Sequence, residues 1–207
     1  VMAGMRTVAS RLWGSEDLSG RTVAVQGVGK VGRHLVERLA KAGAETIIAD
    51  VNRSALEEVA SSFGSEVIDP EDIYDLDSDI FAPCALGGAI NADTIPRLGC
   101  AAVVGSANNQ LATPEDADRL IERGIVYAPD FVVNAGGIIN ITEELRGYSW
   151  ERAAHAVDGI GSALSRILDR AETNGINPHV AAEEVARERI AAIGSLRVRR
   201  RTDAGGK

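Results

Sequence analysis

Between a short apolar run at residues 22–26 and a segment of helical period at residues 30–42 stands Gly27-Val28-Gly29-Lys30-Val31-Gly32. Three glycines at this spacing, directly after a strand and opening a helix, narrow the possible folds sharply, because each has its own steric task. Gly27 makes the tight turn, Gly29 leaves the backbone bare for close approach of a pyrophosphate, and Gly32 lets the helix pack closely on the sheet. An anion there sits on the free N–H groups of the helix N-terminus, favoured by the positive end of its dipole. The spacing alone is a weak signal. Its weight comes from Asp50, which ends a second strand at residues 46–50, 18 residues after Gly32. A carboxylate at that point accepts hydrogen bonds from adenosine ribose hydroxyls and repels a 2′-phosphate, which predicts NAD rather than NADP. Arg53 keeps NADP open as an alternative, since a nearby guanidinium offsets the charge.

The alternation continues along the chain. A helix at residues 54–63 closes at Gly64, further strands are expected at 65–68, 80–82, 101–104 and 125–127, and a helix at 114–123. Strands that are continuous apolar runs separated by helices predict an α/β, Rossmann-type doubly wound, mostly parallel sheet with helices on both faces. The last third is different. Trp150, Ala153, Val157, Ile160, Leu164, Ile167 and Leu168 keep a 3/4 spacing from the N-cap candidate Ser149 to Asn174-Gly175, and a second helix starts at Asn177-Pro178. Two long C-terminal helices are therefore expected, at 150–173 and 178–194, with residues 1–195 as one NAD-binding domain and 196–207 as a basic, disordered tail. At the other end, Val1, Met5, Val8, Leu12 and Trp13 have helical spacing with no capping residue before them. The expectation is a chain that starts inside an element of a longer protein.

Charge removes several function classes. The 207 residues carry 30 acidic and 22 basic side chains, and without residues 197–207 the body holds 29 against 17, a net −12. Nucleic acid and anionic membrane both need a basic surface, so neither is expected as a partner. The longest uncharged stretch, which includes residues 98–113, contains two asparagines and a glutamine and does not suit the ~30 Å hydrocarbon core of a bilayer. Cys84 and Cys100 read as reduced thiols of a cytoplasmic protein, and no metal-ligand pattern is called for.

Acid–base groups are scarce. Lys30 lies in the glycine loop, Lys41 ends the following helix and Lys207 is terminal, so none is placed as a base beside a nicotinamide ring. His34, His155 and His179 fall in helical segments and read as structural or exposed. Three loops rich in small residues and amides stand out instead: residues 82–88, residues 105–110, and Asn134-Ala135-Gly136-Gly137-Ile138-Ile139-Asn140. In an open parallel sheet the loops at the carboxyl ends of strands line the ligand crevice. Small residues there let a flat ring approach the backbone, and amides can hold a carboxamide or carboxylate without charge.

With Gly27 to Gly32, the stretch Phe81-Ala82-Pro83-Cys84-Ala85-Leu86-Gly87-Gly88, residues 105–111 and Asn134-Ala135-Gly136-Gly137, the chain closely resembles the nucleotide-binding half of the Glu/Leu/Phe/Val dehydrogenases, on their leucine and valine side. The resemblance covers almost all of residues 1–195. It implies NAD-dependent, reversible oxidative deamination of an L-amino acid to the 2-oxo acid and ammonia, in a cleft between two domains. By resemblance, Gly27 to Gly32 and Asp50 hold the adenosine diphosphate portion, with Cys84 and Ala85 contributing backbone. Asn108 is similar to the amide bridging nicotinamide and substrate, Asn134 to a holder of the nicotinamide end, and Ile138 and Ile141 to positions lining the side-chain pocket. Bulky β-branched residues there lean towards a branched aliphatic substrate, although ordinary core isoleucines are the competing reading. The family's catalytic lysines and aspartate belong to an N-terminal domain absent from residues 1–207, so no catalytic residue is assigned in this chain. A homo-oligomer is implied. The alternatives are a stand-alone NAD-binding sensor and an NADP-linked glutamate dehydrogenase half.

Overall fold

A computed structural model describes residues 1–204, with side chains through residue 192. Helix α1 (Met2–Trp13) leads into a β/α alternation: β1 (Thr22–Gln26), α2 (Lys30–Lys41), β2 (Glu45–Ala49), α3 (Arg53–Phe63), β3 (Glu66–Val67), β4 (Asp77–Pro83), β5 (Gly99–Val103), α4 (Asp116–Glu122) and β6 (Val126–Tyr127). Two short helices, α5 (Asp130–Val133) and α6 (Gly136–Glu144), precede the long pair α7 (Trp150–Asn174) and α8 (Pro178–Ala204). The strands form one sheet in the order β3-β2-β1-β4-β5-β6, and every pairing is parallel. That is the strand order of two βαβαβ halves meeting between β1 and β4, where connections leave in opposite directions and a crevice opens.

Alternation along the strands divides the core. Val23, Val25, Ile80 and Ala82 pack with Val8, Leu39, Leu56 and Leu164 on the face covered by α1, α2, α3 and α7. Ala24, Phe81 and Val103 point to the other face, against Leu120 of α4 and Ile90, Ile95 and Tyr127. Because both faces are covered, β1 is buried over three consecutive residues, and a continuous apolar run is what the sequence displays.

Helix boundaries follow local chemistry. Gly14, Gly64 and Gly175 end α1, α3 and α7 in the left-handed conformation. Asn52 caps α3 and Ser149 caps α7 by accepting backbone N–H bonds, while the Asn177 side chain accepts the N–H of Val180 at the start of α8. The strand β4 begins three residues before the expected 80–82. Its first turn of sequence, Asp77-Ser78-Asp79, is polar, yet Asp79 is satisfied by the N–H of Thr22 at 2.8 Å and by Arg21 at 3.0 Å. Helix α8 likewise runs past the expected 194, and the side chains of the basic segment expected as a tail lie outside the described residues, as do residues 205–207 entirely. No described helix is long and apolar enough to cross a membrane.

Candidate cofactor and substrate crevice

Residues 136–140, expected as part of a loop, instead open α6 directly after α5; the glycine loop and the loops at 82–88 and 105–110 emerge at the carboxyl ends of neighbouring strands. Each is tied at its start to a neighbouring strand: the Gly27 N–H donates to Ala49 O at 2.7 Å, Cys84 N–H to Gln26 O at 2.7 Å, and Ala107 N–H to Pro83 O at 2.9 Å. The ladder of the sheet thus continues one step past the strands and sets the loops side by side.

The glycine loop divides its labour sterically. Gly27 has φ of 98°, and a Cβ there would meet Ala85 at 2.8 Å. At Gly32 an added Cβ would lie 2.0 Å from the Gly27 carbonyl oxygen, so the first turn of α2 rests directly on the loop. Gly29 is the opposite case, with nothing within 4 Å of its missing Cβ. The backbone there faces open space, and α2 has no side-chain cap, which leaves its N-terminal N–H groups free for an anion. Within the same six residues Val28 is buried in the core, whereas Lys30 and the half-exposed Val31 face outward.

Asp50 lies one residue beyond β2 rather than inside it. Its carboxylate accepts the N–H of Val28 at 2.7 Å and of Asn52 at 2.8 Å, bending the chain into α3. Two N–H bonds leave lone pairs for further donors. Asp50 and Arg53 together border a shallow cleft of about 320 Å³ that Val67 and Pro70 complete.

On the other side of the crevice, Cys84 is held by its backbone, and burial pushes its thiol up from the ordinary value, so it is a protonated spacer. Ala85 and Leu86 are exposed beside it. The Asn134 side-chain amide donates to Ser106 O at 2.8 Å and to the Asn108 side-chain oxygen at 2.9 Å. The two amides expected from separate loops are therefore one pair. Ile138 and Ile141 are 71% and 59% exposed on α6, which removes the reading of ordinary core isoleucines. Asn134 and Gly137 also border a cleft of about 530 Å³ walled by Val31, His34, Tyr148 and Trp150, which neither Ile138 nor Ile141 lines.

Of the other titratable groups, His34 faces Glu37, Lys41 pairs with Glu37 at 2.6 Å, and His179 packs edge-on against Phe131. Among the described residues no three His, Cys, Asp or Glu side chains gather as a metal site. Two residues of the site escape sequence reasoning. Asp130 is 8% exposed and accepts the N–H of Asn109 at 2.6 Å, and the fully buried Tyr127 donates to Asp130 at 3.2 Å. The signal available was the one used for Asp50, an acid just after a strand.

A six-stranded parallel sheet in this order, with a bare glycine turn at its switch point and an acid after its second strand, defines a doubly wound nucleotide-binding domain of Rossmann type. Comparison with known proteins takes this further. Residues 46–197 match the family model described as Glutamate/Leucine/Phenylalanine/Valine dehydrogenase, and the chain belongs to that family. Leucine dehydrogenase of Bacillus subtilis (strain 168) is 45% identical over 190 residues, 92% of this chain and 52% of that protein. Valine dehydrogenase of Streptomyces coelicolor is 44% identical over 194 residues, again 92% of this chain and 53% of that protein. The crystal structure of L-tryptophan dehydrogenase from Nostoc punctiforme superposes with a TM-score of 0.89 at 41% identity, covering 92% of this chain and 57% of that one. The chain spans about half the length of the curated relatives it matches. Family and fold together imply a nicotinamide cofactor.

Proposed function

We propose that this chain is the NAD-binding portion of a cytoplasmic, homo-oligomeric amino-acid dehydrogenase. Its substrate is a branched-chain aliphatic L-amino acid, leucine or valine, deaminated oxidatively and reversibly to the 2-oxo acid and ammonia. The observation that carries the reading is the bare Gly29 backbone next to the Val28 that Asp50 binds; the bonded Asn108–Asn134 pair and the exposed Ile138 and Ile141 of α6 support it.

The residues suit this cofactor. The free N–H groups at the start of α2 receive a diphosphate, and Gly29 removes the side chain that would stand in its way. Asp50 keeps acceptor capacity for ribose hydroxyls, and its charge opposes a 2′-phosphate more strongly than the exposed Arg53 beside it offsets. Asn108 and Asn134, bonded to each other, orient a carboxamide and the substrate without adding charge. The nicotinamide, when bound, supplies the hydride acceptor. Ile138 and Ile141 offer branched apolar surface to an aliphatic side chain, a preference worth ~1–3 kcal/mol per methylene. Lys30 is exposed at the start of α2 and Lys41 is paired to Glu37, so proton transfer at the amino group is assigned to a second domain outside residues 1–207.

Fluorescence titration tests the cofactor: NADH is expected to bind more tightly than NADPH, and tighter NADPH binding overturns the role given to Asp50. Assays with leucine and valine test the division of labour. Residues 1–207 should bind NADH without oxidising either amino acid, and turnover that survives Lys30→Ala overturns the assignment of acid–base chemistry to another domain.

A further inference from the structure

Asn109 is the one non-glycine residue with a positive φ among the described residues, at 52°. It follows Asn108 directly, so its backbone sets where the Asn108 amide points. Residues with a Cβ adopt this left-handed conformation uncommonly; asparagine reaches it more readily than most, and here a hydrogen bond holds it there. The acceptor is Asp130. One carboxylate oxygen accepts the Asn109 N–H at 2.6 Å, and the other accepts the Tyr127 hydroxyl at 3.2 Å. The backbone carbonyl of the same residue accepts the Asn134 N–H at 2.8 Å. Asp130 thus grips the segment carrying Asn108 with its side chain, while its main-chain bond to Asn134 is the ordinary closing bond of α5.

We infer that Asp130 is a positioning residue for the nicotinamide end of the crevice, its side chain holding the Asn108 segment where the Asn108 amide pairs with that of Asn134. The inference rests on the proposed role of those two amides. Asp130 itself is nearly buried, so it acts through the loop. The constraint reaches further, because the Asn109 carbonyl accepts the Gly88 N–H at 2.8 Å. Space for the amide loop exists only because Gly87 lacks a Cβ, which would fall 2.8 Å from the Asn108 carbonyl oxygen. Loosening Asp130 therefore frees the loops after both β4 and β5.

The test is a set of NADH fluorescence titrations on residues 1–207, each with a thermal unfolding curve and backbone hydrogen exchange over residues 105–110. Asp130→Ala is expected to weaken NADH binding roughly tenfold and to speed exchange at Asn109. Asn109→Gly alone should bind within about twofold of the parent, because glycine reaches the left-handed region freely. The double variant should regain most of the lost affinity, since the loop no longer needs to be held there. A residue that merely packs or starts α5 has no reason to be rescued from position 109, so a double variant no better than Asp130→Ala overturns the inference, as does unchanged affinity in a folded Asp130→Ala. Should Asp130→Ala fail to fold, Tyr127→Phe leaves the carboxylate in place but frees one oxygen. Faster exchange at Asn109 and about threefold weaker binding are then expected, and unchanged exchange overturns the inference. Asn108→Ala and Asn134→Ala separate the two levels. If both bind NADH like the parent, the proposed role of the amides fails, while exchange at Asn109 remains the independent measure of Asp130's grip.

Discussion

Asp50 and Asp130 do the same work in the two halves of the sheet at places that do not correspond, since halves meeting between β1 and β4 match β2 with β5 and β3 with β6. Asp50 follows the interior strand β2 and Asp130 follows the edge strand β6, and each accepts a backbone N–H from the loop leaving the neighbouring strand nearer the centre, Val28 at 2.7 Å after β1 and Asn109 at 2.6 Å after β5. The loops they hold differ in kind. The one after β1 is shaped by absent atoms: Gly27 turns at φ 98°, and Gly32 lies so near the Gly27 carbonyl that a methyl group has no room. The one after β5 carries side chains throughout its exposed part and keeps its left-handed residue, Asn109, through a bond to an acid 21 residues away. The first loop is shaped within one local run of residues; the second needs missing Cβ atoms too, at Gly87 and at Gly105, where a Cβ would lie 2.2 Å from the Pro83 carbonyl oxygen, and in addition a left-handed residue held by a bond across the fold. Size is a property of single residues in a fixed local order. Bonding partners are properties of the assembled molecule.

The largest expected effect strikes the first loop. Gly32→Ala forces a Cβ to 2.0 Å from the Gly27 oxygen, where only backbone can move, so it should destabilise the fold by ~1–3 kcal/mol and abolish measurable NADH binding. Gly29→Ala sharpens the contrast. With nothing within 4 Å of the new methyl, its unfolding curve should match the parent within ~0.5 kcal/mol while NADH affinity falls by about tenfold or more. Equal losses of stability in both variants would break the division of tasks between the two glycines. Asp50→Asn comes next. Removing the charge should narrow the ratio of NADPH to NADH dissociation constants about tenfold, read by paired titrations, with little loss in binding of NADH itself.

The smallest effect under neutral conditions concerns the sheet beneath the amide half. Cys100 of β5 is 7% exposed, and burial pushes its thiol from 9.0 up to about 11. A thiol value raised on folding means the folded state favours the protonated form. The associated stability is complete below pH 9.0 and is lost as pH rises through about 11, worth about 2–3 kcal/mol in total. Urea unfolding at pH 8, 10 and 11 should show this decline, and Cys100→Ala should flatten it. A decline of the same size in the variant would assign the alkaline sensitivity to another group.

Much of the first half was readable before folding. The strand at 22–26, the helix after it, the three glycines and the following acid sit in one run of about 30 residues, and their tasks depend on local geometry that the residue types dictate. The capping residues Ser149, Asn177 and Gly175 were readable for the same reason. The early start of β4 was not. Its opening aspartates look like loop until Arg21 and the Thr22 N–H, more than fifty residues earlier, arrive to satisfy Asp79. Asp130 and Tyr127 escaped similarly, because their value lies in a partner on another loop.

Sequence alone was enough to determine the alternation of strands and helices, the parallel doubly wound sheet and the glycine turn, since each follows from hydrophobic period, glycine's missing Cβ and the places where helices can start and stop. Tertiary structure alone decided that Asn108 and Asn134 form one bonded pair, that Ile138 and Ile141 stay exposed while Ile48, Ile73, Ile80, Ile90 and Ile95 are buried, and that Asp130 holds the amide loop. The physical reason is range. Sterics act between neighbours in the chain, whereas a hydrogen bond between distant residues exists only after the sheet has brought its strand ends together.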